Sequence, residues 1–376
     1  MSADSKKIYL IAGEASGDLH GSNLVKALKQ ENQNLSFRFW GGDLMQNEIG
    51  KPVKHIKELA FMGFIEVIRN IKTILNNIKF CKNDILNFKP DALILIDYPG
   101  FNLRIAAWAK KNNIKVYYYI SPQVWAWKQN RVYKIKRFVT KMFTILPFEK
   151  EFYKKFDFDV EYVGHPLLDA IENYKNSVNT SDSFRFKHHL SQKPIIAILP
   201  GSRKQEIKAK LPIMLEAIKD YSDYEVVIAG APSLEPEFYT KMMQNSSFKI
   251  VHDSTYDILS LAEFAIVTSG TATLETALFN VPEVVCYKAS PISYYIAKQL
   301  IKIKYISLVN LIMDQEVVRE LIQNDCNPIE IRKEVELIKA GGLKREKMLN
   351  DFEILRKKLG EGGASKKIAQ SLLKTI

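Results

Sequence analysis

The chain has 376 residues, long for one core and comfortable for two, with 47% hydrophobic residues and no low-complexity tract. Lys and Arg number 54 against 42 Asp and Glu, so the net charge of +12 suits an anionic partner such as a nucleotide, a phosphorylated lipid or a membrane surface, although a Lys-rich proteome gives the same excess. Three widely spaced cysteines, Cys81, Cys286 and Cys326, exclude a fully paired disulfide scaffold and a zinc pattern; no apolar signal core opens the chain and no run reaches the roughly 20 apolar residues of a membrane span, so a cytoplasmic location is expected.

Residues 7–12 read as a buried first strand and 22–30 as a helix, joined by GEASGDLHG. Strand, Gly-bearing loop and helix open a Rossmann-like unit, but this loop is not G-x-G-x-x-G. Glu14 and Asp18 would serve a pyrophosphate poorly and sugar hydroxyls well, because a carboxylate accepts hydrogen bonds from them. Asp18 reads equally as the cap of its own helix.

Residues 37–40 form a short strand. Apolar residues from Phe61 to Ile78 then recur at near-helical spacing, with Arg69, Lys72 and Lys79 among them. A core-facing helix with a basic outer face explains most of this stretch. Its start, where Phe61, Met62 and Phe64 flank a Gly, suits a lipid contact.

Residues 92–96, ALILI, read as a buried parallel strand ending at Asp97-Tyr98-Pro99-Gly100-Phe101-Asn102. An acid at the carboxyl end of a central strand lies where α/β folds place their sites, which makes Asp97 the leading general-base candidate. A capping or bracing role is the plainer alternative. Residues 116–120 are another strand, followed by SPQVWAWK. Gln123 and Trp127 suit a sugar or acyl pocket, with Trp125 expected in the core. Residues 131–141 are strongly basic and suit phosphate or membrane, or simply a solvated face.

Gly164-His165-Pro166-Leu167 leads into a polar segment, 172–193, whose NSVNTSDS is the best linker signal in the chain. The boundary is placed there: a first domain over 1–165 and a second over 166–349. A tail from about 350 to 376, amphipathic over 365–376, is expected to pack back on the first.

The βα alternation restarts at residue 195. IIAIL runs into Pro200-Gly201-Ser202-Arg203 and then a helix, an arrangement that offers free N–H groups and a guanidinium to a diphosphate. An ordinary βα turn with a surface Arg is the alternative. Further strands are expected at 225–229, 248–251, 264–267 and 284–287, with helices near 211–220, 236–244, 256–261 and 273–279. Ser269-Gly270-Thr271 is a second strand-to-helix turn of the same kind. Glu275, one turn on, is placed to take both hydroxyls of a ribose. Residues 287–304 mix aromatics, Ile and Lys and suit a membrane or acyl surface. Residues 309–316 read as a loop, from which Asn310 and Gln315 would reach a uracil edge. Two consecutive series imply two doubly wound parallel-sheet domains facing a cleft.

Taken together, GEASGDLHG, DYPGFN, SPQVWAWK, GHPLLD, LPGSRKQEI and SGTATLETAL, in this order over nearly the whole chain, resemble the lipid-A-disaccharide synthase family, inverting glycosyltransferases of GT-B fold. The resemblance implies transfer from UDP-2,3-diacylglucosamine to 2,3-diacylglucosamine 1-phosphate, giving a β-1,6 disaccharide 1-phosphate and UDP in lipid A biosynthesis. Donor contacts are expected from Gly201, Ser202, Arg203, Ser269, Gly270, Thr271, Thr273, Glu275, Asn310 and Gln315. Acceptor contacts fall to Glu14, Ser16, Gly17, Asp18, Met62, Asn102, Gln123 and Trp127, and catalysis to Asp97, Asp18 and Arg203. In the family pattern a second acid stands three residues after the first in DYPGFN. Here that position is Gly100, which leaves Asp97, Asp18 and His20 as candidates for the base. No Asp-x-Asp pair stands where it would hold a metal, so no cofactor or metal is expected. Peripheral contact with the anionic cytoplasmic face of the inner membrane is expected, nucleic acid is not, and a homodimer is compatible. The rivals are a UDP-sugar epimerase of the same fold and a non-catalytic nucleotide- or lipid-binding module.

Overall fold

The computed structural model describes residues 5–59, 71–177, 181–232, 234–243, 248–290, 294–295, 299 and 303–376. Two compact units divide the chain, one of Met1–Pro166 with Glu361–Ile376, the other of Leu167–Gly360.

The first unit is built on seven parallel strands: β1 (Lys6–Ala12), β2 (Leu35–Gly41), β3 (Lys54–His55), β4 (Ala92–Ile96), β5 (Val116–Tyr119), β6 (Lys141–Thr144) and β7 (Glu161–Tyr162). Their order is β3-β2-β1-β4-β5-β6-β7. A central parallel strand is covered on both faces and therefore carries no polar alternation. In β4, Leu93 and Leu95 join one core, with Ile85, Ile105 and Ile135 of the helices Ile71–Phe88, Pro99–Lys111 and Arg131–Phe138. Ala92, Ile94 and Ile96 join the other, with Leu24 and Leu28 of the helix Ala15–Glu31 and with Ile368 and Leu372 of the helix Ala364–Leu373.

The second unit repeats the plan with six parallel strands: β8 (Ile195–Leu199), β9 (Glu225–Gly230), β10 (Lys249–His252), β11 (Ala262–Thr268), β12 (Glu283–Tyr287) and β13 (Arg319–Ile322). Their order is β10-β9-β8-β11-β12-β13. In each sheet the order reverses direction next to the first strand of the series, between β1 and β4 and between β8 and β11. Loops on either side of such a switch point diverge to opposite faces and leave a crevice at the strands' carboxyl ends.

Several expectations are corrected. Of the polar stretch read as a linker, residues 178–180 lie outside the described residues; on either side the chain is helical, over Pro166–Ser177 and Ser181–Lys187, and both helices belong to the second unit's packing. Tyr174 bonds Asp257 at 2.9 Å, and Phe184 packs on that unit's core. Residues read as a loop near 309–312 form the helix Leu308–Met313. The helix expected to begin at 211 runs over Lys204–Ile218, with Pro212 inside it. Strands β3 and β13 escaped notice because one has two residues and the other, RELI, is a polar edge strand. Of the amphipathic stretch after Phe61, the described part lies in the helix Ile71–Phe88, where Ile78 is buried but Leu75 points outward. Met62 and Phe64 lie outside the described residues, as does part of the stretch 287–304. Among the described residues no helix is long and apolar enough to cross a membrane.

Candidate functional site

In the first unit the candidate residues Glu14 and Asp97 gather at the β1–β4 switch point. Ala12 and Ile96 are paired in register, so Glu14 and Asp97 leave neighbouring strand ends. Asp97 and Tyr98 both adopt left-handed backbone, with φ of +46° and +49°. Non-glycine residues hold that conformation only where their surroundings impose it. Here the Asp97 N–H donates to the Tyr119 carbonyl at 3.0 Å. Its own carbonyl accepts from the Tyr118 hydroxyl at 2.6 Å and the Asn102 amide at 2.7 Å. Tyr98 caps the helix Pro99–Lys111 and lays its ring over Gly13, where a Cβ would stand 2.4 Å from the ring. Burial pushes the Asp97 carboxyl up to about 6, the Glu14 charge adds to this, and a hydrogen bond from the Tyr98 N–H opposes it. The result is a carboxylate that is ionised at neutral pH yet a far better proton acceptor than an exposed Asp.

The other base candidates are corrected. Asp18 is buried, with both oxygens taken: Oδ1 accepts from the N–H groups of Gly42 at 2.7 Å and Met45 at 3.1 Å, and Oδ2 from Leu44 at 3.0 Å. It braces the start of the helix Asp43–Ile49 rather than that of its own helix. Burial holds the His20 pKa down to about 4, a weak base. Asn102 is fully buried and serves the strand end through its bonds to Ile96 and Asp97. Gly17 is buried against Ala12, while Glu14, Ser16 and Gln123 are exposed. Trp125 is in the core and Trp127 is 37% exposed, with Lys128 and Arg131 over its ring.

In the second unit, the two strand-to-helix turns flank the β8–β11 switch point and line one cavity of about 320 Å³. Gly201, Ser202, Ser269, Gly270, Thr271 and Glu275 are among its walls, with the Gly230-Ala231-Pro232 turn after β9. Gly201 has φ +110° and Gly270 φ +152°, values that only glycine adopts without strain. The helices Lys204–Ile218 and Thr271–Leu278 begin here with no side-chain cap bond, so their first N–H groups are open to an anion. Arg203 stands at the mouth of the first helix, largely exposed, 3.7 Å from Glu206, and is not part of the cavity wall. The Glu206 carboxylate is part of that wall and sits against Gly201. Sequence reasoning missed it, although an acid three residues after Arg203 in the helix's first turn was there to be seen.

Two donor-side expectations are corrected. Thr273 is fully buried and its hydroxyl bonds back to the Gly270 carbonyl at 2.9 Å. Asn310 is also fully buried and its amide is spent: Nδ2 donates to the Val318 carbonyl and Glu320, and Oδ1 accepts from Val317 and Val318. It ties the helix Leu308–Met313 to β13 and reads no base. Gln315 is exposed and does not line the cavity. Ser269 lines it, with its hydroxyl donating to the Ile306 carbonyl at 2.9 Å.

Two doubly wound parallel-sheet units, one with a cavity walled by two strand-to-helix turns at its switch point and the other with a buried acid at its own, have the architecture of the GT-B class. Residues 8–374 match the family described as lipid-A-disaccharide synthetase. The chain is 37% identical to the lipid-A-disaccharide synthase of Syntrophus aciditrophicus, over 99% of this chain and 98% of that one. It is 37% identical to that of Myxococcus xanthus, over 98% and 97%. The chain therefore belongs to the lipid-A-disaccharide synthase family, UDP-sugar glycosyltransferases of lipid A biosynthesis. Its fold also resembles the UDP-GlcNAc 2-epimerase of Neisseria meningitidis bound to UDP-GlcNAc, with a TM-score of 0.70 at 14% identity over 98% of this chain and 100% of that one. A glycosyltransferase from Rickettsia africae matches with a TM-score of 0.59 at 14% identity, over 100% of each chain.

Proposed function

We propose that this chain transfers the sugar of UDP-2,3-diacylglucosamine to the 6-hydroxyl of 2,3-diacylglucosamine 1-phosphate with inversion. The products are the β-1,6 disaccharide 1-phosphate and UDP. The observation that carries this reading is the family match over residues 8–374. In this reading the second unit holds the donor: the turns Gly201–Arg203 and Ser269–Thr271 take the diphosphate, and Glu275 takes the ribose. Asp97 accepts the proton of the attacking hydroxyl, typically worth about 10²–10⁴-fold. Charge that develops on the leaving diphosphate is met by helix N-termini and by Arg203, an electrostatic role that asks for no divalent metal. Glu14, Ser16, Gln123 and Trp127 remain proposed acceptor contacts. The basic, aromatic face of the helix Arg131–Phe138 supports contact with an anionic membrane surface.

The test is purified chain with both lipid substrates, the products weighed by mass spectrometry. A disaccharide 1-phosphate formed with or without EDTA supports the reading. Conversion of UDP-sugar incubated alone would instead mark an epimerase, and no conversion under either condition a binding module. Arg203→Ala is expected to lower kcat/KM at least tenfold, and an unchanged value would remove that residue from the role.

A further inference from the structure

Glu275 is partly buried in the cavity wall, and burial pushes its pKa up. Among the described residues one group donates to it: the Tyr256 hydroxyl, 3.0 Å from Oε1. That phenol is itself held. Its ring meets Tyr174 edge-on at 5.5 Å and Phe279 at 5.1 Å, and those two rings meet at 5.7 Å. The Tyr174 hydroxyl bonds Asp257, the residue after Tyr256, at 2.9 Å. Three rings from separate segments thus fix one hydroxyl, and Thr255, the residue before it, lines the cavity.

We propose that Tyr256 is a positioning residue that makes this cavity selective for a ribonucleotide, its hydroxyl holding Oε1 of Glu275 so that Oε2 is presented to a vicinal diol. The proposal rests on the nucleotide reading of the cavity. A carboxylate that accepts a phenol hydrogen bond is favoured in its ionised, acceptor-only form and loses rotational freedom. It then discriminates by what it lacks: a 2′-deoxyribose leaves one of its lone pairs unmet, and a buried polar group without a partner is costly. Packing does not require the hydroxyl, since phenylalanine would keep both ring contacts of Tyr256.

The experiment is calorimetric titration of the full chain, Tyr256→Phe and Glu275→Ala with UDP and with 2′-deoxy-UDP, together with donor kinetics. The natural chain is expected to prefer UDP. Tyr256→Phe should bind UDP roughly tenfold more weakly, the loss of one hydrogen bond to a charged group. Its affinity for 2′-deoxy-UDP should change little, so the preference shrinks. Donor KM should rise with kcat at saturation unchanged. Tyr256→Phe with undiminished UDP affinity and preference would overturn the tyrosine's role while leaving the nucleotide reading intact, because Glu275→Ala would still lose the preference. An equal loss for both nucleotides would also overturn it, as general damage. Absence of UDP binding to the natural chain would overturn the nucleotide reading and this proposal with it, and no effect of Glu275→Ala would overturn the ribose contact of Glu275 and hence this proposal.

Discussion

In the proposed role of Asp97 as the base, function and stability pull in opposite directions. Its carboxyl is pushed up to about 6 from an ordinary 3.8, chiefly by burial and then by Glu14. A raised acid means that the folded chain binds the proton more tightly than the unfolded one. The residue's contribution to stability therefore declines as pH rises from about 4 to about 6, and at neutral pH the ionised group is a net cost to the fold. Asp97→Asn removes that charge while keeping an oxygen for the Tyr98 N–H. It is expected to lower kcat by about 10²–10⁴-fold and to leave Tm at pH 7 unchanged or higher. In the natural chain kcat/KM should fall as pH drops through about 6, with the base protonated, and this limb should vanish in the variant. A full pH–rate profile and a thermal melt on both proteins check this, and a large drop in Tm would mean the residue is a brace and not a base. The place of Asp97, at the carboxyl end of a buried central strand, was legible in the sequence because an apolar run that stops at an acid marks such an end. Asp18, Thr273 and Asn310 misled for the opposite reason. Whether a polar side chain faces a ligand or a neighbouring backbone depends on partners distant in sequence, such as Gly42 for Asp18 and Val318 for Asn310.

Among the elements, the helix Arg131–Phe138 carries more charge than its unit needs. Val132 and Ile135 are buried, which turns Tyr133, Lys134 and Arg137 to the opposite side, with Tyr133 63% exposed. No Asp or Glu stands in the sequence between Asp97 and Glu149, and among the described residues Lys134 and Arg137 have no acidic partner. An exposed ring amid unpaired cations is the composition of a surface that meets anionic lipid. The chain is expected to sediment with vesicles containing anionic phospholipid, less so at high salt, and not with neutral ones. Replacing Lys134 and Arg137 by Gln removes about 1 kcal/mol each, so binding should weaken about thirtyfold. Activity on detergent-dispersed substrates should stay intact. Unaltered sedimentation would show that this face is merely solvated. The elements themselves were mostly readable: buried strands such as ALILI and IIAIL announce a parallel sheet by their lack of alternation. The helices at Pro166–Ser177 and Ser181–Lys187 were not, because the polar outer side of a helix looks like a linker when its residues are read one after another.

For the molecule as a whole, the decisive feature is that the first unit is discontinuous. The chain leaves it at Pro166 and returns at Glu361. On return, the helix Ala364–Leu373 buries Ala364, Ile368, Ala369 and Leu372 completely, packed against the helix Ala15–Glu31. Polar ties follow: the Tyr117 hydroxyl donates to Thr375 at 2.9 Å, Lys141 to Ser371 at 2.7 Å, and Ser371 to Glu161 at 2.7 Å. Losing one large buried aliphatic side chain costs about 2–5 kcal/mol. Losing Ile368 and Leu372 together therefore consumes much of the 5–15 kcal/mol that holds a typical domain folded. Truncation after Gly360 is thus expected to melt the first unit while sparing the second, whose residues end at that glycine. Scanning calorimetry of the truncated chain should lose or strongly lower one transition and keep another. Transfer activity should vanish, since Asp97 belongs to the unit that melts, while UDP binding persists in the unit that does not. A truncated chain with an unaltered melt would show that the returning helix only decorates the sheet, and loss of UDP binding as well would show that the two units fold as one.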